Sequence, residues 1–163
     1  MYTALDIANW FIAYNNAEFR LNETVEYNVY ERLLYSKLQM LLYLAQGVYM
    51  NYNKGKLLFA DDIYAEKYGV TIKSVREKYA KYGSKPIVKK FTSAEFDVIE
   101  EIELDASIIE CLITTYEEYN IYTPLGLKNI CCGKHSPWYK AVNTTDRIIP
   151  VKKVRKHIAN MYK

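Results

Sequence analysis

The segment from Tyr30 to Tyr52 constrains the fold more than any other part of the chain. Its apolar side chains recur at the spacing of a helix: Leu34, Leu38, Leu41, Leu42, Ala45, Val48, Tyr49 and Tyr52. The opposite face is also largely apolar, but it carries two amides, Gln39 and Gln46. A helix that is apolar nearly all round is surrounded by other elements. We therefore predict a buried central helix here, whose amides either hold nearby backbone or face a groove.

Short polar signals mark the remaining helices. Thr3 caps a first helix, with Asp6 reaching back, and this helix ends near Asn15-Asn16. Further helices are predicted from Thr71 to Gly83, from Ser93 to Glu103, from the cap Asp105, from Thr123-Pro124 to Gly133, and after Pro150. Turns are predicted at residues 53–56 and around Trp138, and small β elements near 57–65 and 147–149. The predicted fold is mainly α, a compact single domain over residues 1–163 with six to seven helices around the central one.

Composition narrows the class of protein. A chain of 163 residues that is half hydrophobic and one quarter charged is typical of a globular domain. The three cysteines are an odd number, and two of them, Cys131 and Cys132, are neighbours, so we expect no disulfide framework. The longest apolar run, residues 40–45, is far shorter than the roughly 20 residues of a membrane span. The N-terminus lacks the pattern of a signal peptide, and we expect a cytoplasmic protein.

Charge is distributed unevenly along the chain. Six acidic residues fall between Glu95 and Asp105, and five basic residues lie in the last twelve positions, from Lys152 to Lys163. The net charge of +3 is too small to require a nucleic-acid partner. The basic tail has two interpretations: the solvated face of the last helix, which we favour, or electrostatic steering toward an acidic partner or nucleic acid. The acidic segment is expected to lie near this tail in the fold.

Residues 37–47 read K-L-Q-M-L-L-Y-L-A-Q-G. This segment resembles the signature helix of the Panacea (SocA-like) antitoxin family, whose members read approximately L-K-L-Q-K-L-L-Y-Y-A-Q-G. Further blocks resemble the family in the same order: Leu58-Phe59, Ala65 to Gly69, Tyr79 to Gly83, and Leu127 to Trp138. The chain departs from the family pattern at three positions, where Glu66 replaces tryptophan, Val70 replaces proline and Cys132 replaces histidine.

The resemblance implies a prokaryotic, often phage-associated antitoxin, encoded beside the gene for its toxin. Such a protein neutralises its cognate toxin by direct binding, and in some members delivers the toxin to a protease. It has no cofactor. The toxin-binding residues that we expect on this basis are Gln39, Tyr43, Gln46, Lys67, Tyr68, Tyr82 and Trp138.

The first six of these residues are expected to line one groove. Tyrosines with a few placed amides are typical of the residues that dominate binding at protein interfaces. The alternative is that these side chains satisfy one another inside the core, as most buried polar groups do.

A second function class is a DNA-binding regulator of the helix-turn-helix type, using residues 65–82. Ala65, Gly69 and Val75 match the small, glycine and aliphatic positions of that motif. Lys73, Arg76 and Lys78 would then face the DNA. The pattern is short, and Lys78 stands where an apolar residue is expected, so DNA is the less favoured partner.

An enzyme is the third class, and we do not expect one. The sequence contains no glycine-rich phosphate loop, no HExxH and no nucleophile elbow. Cys132 and His135 have the spacing of half a metal site, but structural zinc uses four ligands. Ordinary residues at a helix end are the favoured interpretation, with no metal and no catalytic residues.

Overall fold

The computed structural model describes residues 1–22 and 31–163. This part of the chain is mainly helical, as predicted. Its elements are α1 (Ala4–Asn22), α2 (Tyr35–Tyr52), β1 (Tyr64–Glu66), β2 (Gly69–Thr71), α3 (Lys73–Tyr79) with a 3-10 turn (Ala80–Tyr82), α4 (Ser93–Leu104), α5 (Ala106–Tyr119), α6 (Pro124–Cys132), α7 (Pro137–Ala141) and α8 (Val151–Met161).

Helix α2 is the centre of the fold, which confirms the predicted buried helix. Every residue from Lys37 to Met50 is buried. Helices α1, α5, α6 and α8 and strand β2 all pack against it. This arrangement explains why α2 is apolar on every side, since no face of the helix meets water along most of its length.

Helix α8 approaches α2 closely at Gly47. A Cβ atom added to Gly47 would lie 2.1 Å from Cγ1 of Ile158, which is fully buried. Only a glycine leaves room for Ile158 at this position, so the glycine of the Gln46-Gly47 pair has a packing role.

The predicted end of α1 was wrong, and Asn15 explains both this error and the lack of helix at residues 31–34, which were predicted to belong to the central helix. Helix α1 does not stop at Asn15-Asn16 but continues to Asn22, because the buried Asn15 amide binds other segments instead of its own backbone. It donates to the Glu31 carbonyl oxygen at 2.8 Å and accepts from the Leu33 backbone N–H at 2.8 Å. The Leu33 carbonyl oxygen accepts from the Ile87 N–H at 2.8 Å. Leu33 is therefore bonded outside any helix, and α2 begins at Tyr35; the predicted start at Tyr30 lies outside the described residues.

The small β element predicted near residues 57–65 is present, but it begins at the end of that range and extends beyond it. Residues 57–59 form no strand, only a single bridge between Phe59 and Tyr2. Strands β1 and β2 form an antiparallel hairpin in which Ala65 pairs with Val70, and its two-residue tip is Lys67-Tyr68. The predicted β contact near residues 147–149 is one bridge between Tyr64 and Ile148.

Local capping signals predicted the starts of three helices well, but the start predicted at Thr71 was wrong, because Thr71 lies in strand β2 and α3 begins at Lys73 without a side-chain cap. Thr3 and Asp6 bond each other's backbone N–H, Asp105 accepts from the Ser107 and Ile108 N–H groups, and Thr123 accepts from the Gly126 N–H. The described residues contain eight α-helices, one more than the predicted maximum, because the expected turn around Trp138 is the five-residue helix α7.

The acidic helix and the basic tail pack on different elements. Helix α4 lies against α1 and α5, whereas α8 lies against α2 and α7. The expected proximity of the acidic segment to the tail therefore does not take the form of extensive packing between α4 and α8. The apolar side chains Val154 and Ile158 face the core, and Lys152, Lys153 and Lys156 are exposed.

A candidate protein-binding groove

A groove of about 590 Å³ runs between the start of α2, the hairpin, α3 and the start of α6. We call it the hairpin groove. Its lining residues are Tyr35, Ser36, Gln39, Met40, Glu66, Tyr68, Gly69, Val70, Thr71, Arg76, Ala80, Pro124, Leu125 and Lys128. Two of the predicted site residues, Gln39 and Tyr68, meet here.

The hairpin groove exposes large apolar side chains to solvent. Tyr68 is 82% exposed and Leu125 is 68% exposed, and both line the groove. Ile121 and Tyr122 are also exposed, directly before Thr123, the N-cap of α6. Clustered apolar side chains of this size on a surface mark a site of interaction with another molecule.

Charged side chains border this apolar surface. Glu66 is a shared partner, with Arg76 at 3.6 Å and Arg147 at 3.3 Å from its carboxylate oxygens. Lys128 adds a further positive charge on the α6 side. An apolar centre with a polar rim is the usual composition of a protein–protein interface.

Gln39 holds the hairpin against α2. Its side-chain oxygen accepts from the Ile72 backbone N–H at 3.0 Å, and its amide nitrogen donates to the Ile72 carbonyl oxygen at 3.1 Å and to the Tyr35 hydroxyl at 3.1 Å. Ile72 directly follows β2 and precedes α3. The Gln39 side chain is thus at the groove, but its hydrogen bonds position the backbone and do not face solvent.

Trp138 and the segment before α8 hold the hairpin from the other side. The Trp138 indole N–H donates to the Glu66 carbonyl oxygen at 2.9 Å. The Ala65 N–H donates to the Arg147 carbonyl oxygen at 2.7 Å. Trp138 is therefore a half-buried support beneath the hairpin and does not line the hairpin groove.

Tyr43 and Gln46 lie in the interior, not in a groove. Both are fully buried. The Gln46 amide donates to the Phe59 carbonyl oxygen at 2.8 Å, and its oxygen accepts from the Leu58 N–H at 2.8 Å. The Tyr43 hydroxyl lies 2.7 Å from Nδ1 of His157, and burial raises the pKa of this tyrosine well above its usual value. For these two residues the structure agrees with the core alternative.

The last two predicted residues, Lys67 and Tyr82, differ in position. Lys67 is exposed at the hairpin tip, with its ammonium 5.8 Å from the Tyr68 ring. Tyr82 is half-buried, donates to the Val88 carbonyl oxygen at 3.0 Å and does not line the hairpin groove. The six residues expected in one groove are thus divided between the groove, its edge, the interior and a neighbouring loop.

Sequence reasoning missed Leu125 and Lys128, and it assigned Arg76 only to the DNA-binding alternative. A signal for this region was present in the adjacent apolar pair Ile121-Tyr122, which lies outside any helical stripe and directly before the cap Thr123. Two adjacent apolar residues between helices, outside any apolar helical stripe, are expected to stay on the surface. Such residues indicate an exposed contact surface.

The helix-turn-helix geometry predicted for residues 65–82 is not formed. Ala65 and Gly69, which would occupy the first helix and the turn, lie in the two strands of the hairpin. Lys73, Arg76 and Lys78 on α3 are exposed, but residues 64–71, directly before α3, form the hairpin and not the first helix of such a motif.

The cysteines have the wrong environment for a nucleophile. Burial raises the pKa of the Cys132 thiol to about 11, and it raises that of the fully buried Cys131 well above its usual value. A nucleophilic cysteine needs a lowered pKa. In the part of the chain that the structure describes, no three His, Cys, Asp or Glu side chains are grouped so that they could hold a metal ion.

Comparison of the chain with models of protein families, with curated proteins and with solved structures finds no match. No helix within residues 1–22 and 31–163 combines the length and the apolar character that crossing a membrane requires.

Proposed function

We propose that the protein is an antitoxin that neutralises a protein toxin by binding it directly, through the hairpin groove. The observation that carries this proposal is the pair Tyr68 and Leu125, large apolar side chains that line one groove and remain mostly exposed. The resemblance of residues 37–47 and the later blocks to the Panacea family supports the antitoxin role.

The way in which the hairpin is held favours binding. Gln39, Trp138 and the Arg147 backbone bond the hairpin on several sides, so Tyr68 projects from a supported tip. When a partner binds to Tyr68, the hairpin backbone therefore loses little conformational entropy. Less of the binding free energy is lost to ordering the hairpin. Exposed tyrosine beside arginine is also the combination that dominates interface energetics.

In this proposal the protein acts by binding and not by catalysis, and it does so in the cytoplasm, where its toxin is made. Occupation of the hairpin groove by the toxin would either sequester the toxin or block its active site. Delivery of the bound toxin to a protease is compatible with the same groove, since a protease would engage another surface.

The test is co-expression with the neighbouring open reading frame. Each gene is induced alone and then both together, while growth is followed and the complex is purified. We expect the neighbour to stop growth alone, and this protein to restore growth and to co-purify with it. A harmless neighbour that does not co-purify would contradict the proposal, and a salt-dependent gel shift on the protein's own promoter would then test the DNA-binding alternative.

A further inference from the structure

A second cavity, of about 940 Å³, lies between α7 and α8. We call it the lysine cleft. Its lining residues are Lys134, His135, Ser136, Pro137, Lys140, Ala141, Thr144, Thr145, Asp146, Ile148, Pro150, Lys153, Lys156, His157 and Asn160. It shares no lining residue with the hairpin groove.

Four lysines give the cleft its charge. Lys134 and Lys140 come from the α7 side, and Lys153 and Lys156 come from α8. Within residues 1–22 and 31–163, none of the four forms an ion pair. The single carboxylate that lines the cleft, Asp146, accepts from the Ile148 backbone N–H at 3.0 Å. The lysines therefore present a positive charge that the described structure does not neutralise.

The sequence of α8 explains why these groups share one face. Lys153, Lys156, His157 and Asn160 have the helical spacing of three, four and seven residues. The other stripe of the helix, Val154 and Ile158, is buried against α2. His157 is tied to the core through Tyr43, which keeps this face of α8 turned toward α7.

Part of the lining besides the lysines is aliphatic. Pro137, Ala141, Ile148 and Pro150 all line the cleft, and the described lining contains no phenylalanine, tyrosine or tryptophan. The aromatic rings in this lining are the imidazoles of His135 and His157, and His157 is bonded to Tyr43, so a single-stranded nucleic acid would find little ring surface on which to stack its bases. A peptide with both carboxylates and aliphatic side chains would use the charges and the apolar surface together.

We propose that the lysine cleft binds an acidic peptide segment, carrying aliphatic side chains, of a partner protein. Its carboxylates pair with the lysines on both walls, and its apolar side chains lie on the surface between them. This proposal does not depend on the proposed role of the hairpin groove. The two surfaces share no lining residue, so each proposal can be tested, and contradicted, by variants that leave the other surface unchanged.

Fluorescence anisotropy with a synthetic peptide tests this proposal. The probe is a fluorescein-labelled peptide of the sequence SAEFDVIEEIEL, which combines acidic and apolar residues. A control peptide has glutamine or asparagine at each acidic position, and a labelled twelve-nucleotide oligothymidylate represents nucleic acid. We expect the acidic peptide to bind best, and its affinity to fall on the order of ten-fold between about 50 mM and 500 mM salt, as exposed charges are screened.

Two matched double variants locate the site. Lys140→Glu with Lys156→Glu reverses one exposed charge on each wall, whereas Lys152→Glu with Lys163→Glu reverses two exposed tail charges outside the cleft. Both variants change the net charge by the same amount, so a difference between them reports the position of the charges. We expect the first variant to weaken peptide binding on the order of ten-fold, and the second to weaken it by roughly two-fold or less.

Three results would overturn the proposal: no binding of the acidic peptide at low salt, equal weakening by the two double variants, or tighter binding of the oligothymidylate through the same lysines. The last result would identify a nucleic-acid site. Because all four substituted lysines are exposed, both variants should unfold at the wild-type denaturant concentration, which separates binding from folding.

Discussion

Two regions of the molecule use their polar and aromatic side chains in opposite ways. On the buried side of α2, Gln39 and Gln46 direct their hydrogen bonds to the backbone at Ile72 and at Leu58-Phe59. At the hairpin groove, Tyr68 and Leu125 remain mostly exposed. The hydrogen bonds of the first region stabilise the fold, and the exposed side chains of the second region are available to a binding partner.

The residues that are most distinctive in the sequence, Gln39 and Gln46, are therefore not the residues that a partner can reach, which are Tyr68 and Leu125. The glutamines of the segment that resembles the Panacea family are architectural, because each binds both a backbone N–H and a backbone carbonyl oxygen of a neighbouring segment. Substitutions on the two sides should therefore affect different properties: the free energy of unfolding on one side, and partner binding on the other.

The largest effect on stability is expected from Gln46→Leu. The substitution keeps the volume but leaves the buried Leu58 N–H and Phe59 carbonyl without a partner, at a cost of about 3 kcal/mol in the free energy of unfolding. Urea denaturation measures this. The matched change Gln39→Leu should cost less, about 2 kcal/mol, because the Ile72 carbonyl oxygen also accepts from the Arg76 N–H, so only the buried Ile72 N–H loses its partner. If the two substitutions lowered the free energy of unfolding equally, or hardly at all, the structural roles assigned to Gln46 and Gln39 would be contradicted.

Gly47→Ala is expected to cost about 2 kcal/mol, because the new methyl group would overlap Ile158 and push α8 away from α2. Gly126→Ala is the control: its added Cβ would be 3.3 Å or more from its neighbours, and alanine favours the helix. Thermal unfolding should show a lower midpoint for the first variant and an unchanged or higher one for the second. If both variants are equally stable, α8 does not pack as closely as the structure shows.

Trp138→Phe removes the indole N–H that binds the Glu66 carbonyl oxygen while keeping an aromatic ring, and should cost about 1 kcal/mol. The loss should be local, so amide hydrogen exchange should speed up in residues 64–71 before it does so in α2. Uniform acceleration throughout the chain would mean that Trp138 supports the whole fold and not the hairpin.

A smaller effect should appear in the pH dependence of stability. Burial lowers the pKa of His157 below 6.5, so the folded state favours the neutral ring. As pH falls below about 6.5, the unfolded chain takes up this proton more readily than the folded one, and stability is lost. His157→Gln should therefore reduce the decrease in the free energy of unfolding between pH 7 and pH 5. An unchanged pH dependence would show that His157 does not contribute to it.

Local signals in the sequence predicted most of the fold. Thr3, Asp105 and Thr123 act within a few residues of themselves, so their caps could be read directly. The errors involve long-range partners. Asn15 is indistinguishable from a helix stop until Leu33 and Tyr116 are seen beside it.

The site was predicted less well for the same reason. The buried amides were recognised as needing partners, but whether a partner is the protein's own backbone or another molecule depends on what the fold brings nearby. Tyr68 was identified through the resemblance, whereas Leu125 faces the same groove only because α6 starts beside the hairpin.

The most direct test of the groove as the binding surface compares two double variants in the co-expression assay. Tyr68→Ala with Leu125→Ala removes the exposed apolar pair, and Tyr52→Ala with Leu21→Ala removes an exposed pair of the same kind away from the groove. Neither should change the free energy of unfolding by more than about 0.5 kcal/mol. We predict that the groove variant loses both growth rescue and co-purification of the toxin, while the control retains them. A stable groove variant that still rescues growth and still binds the toxin would contradict the account.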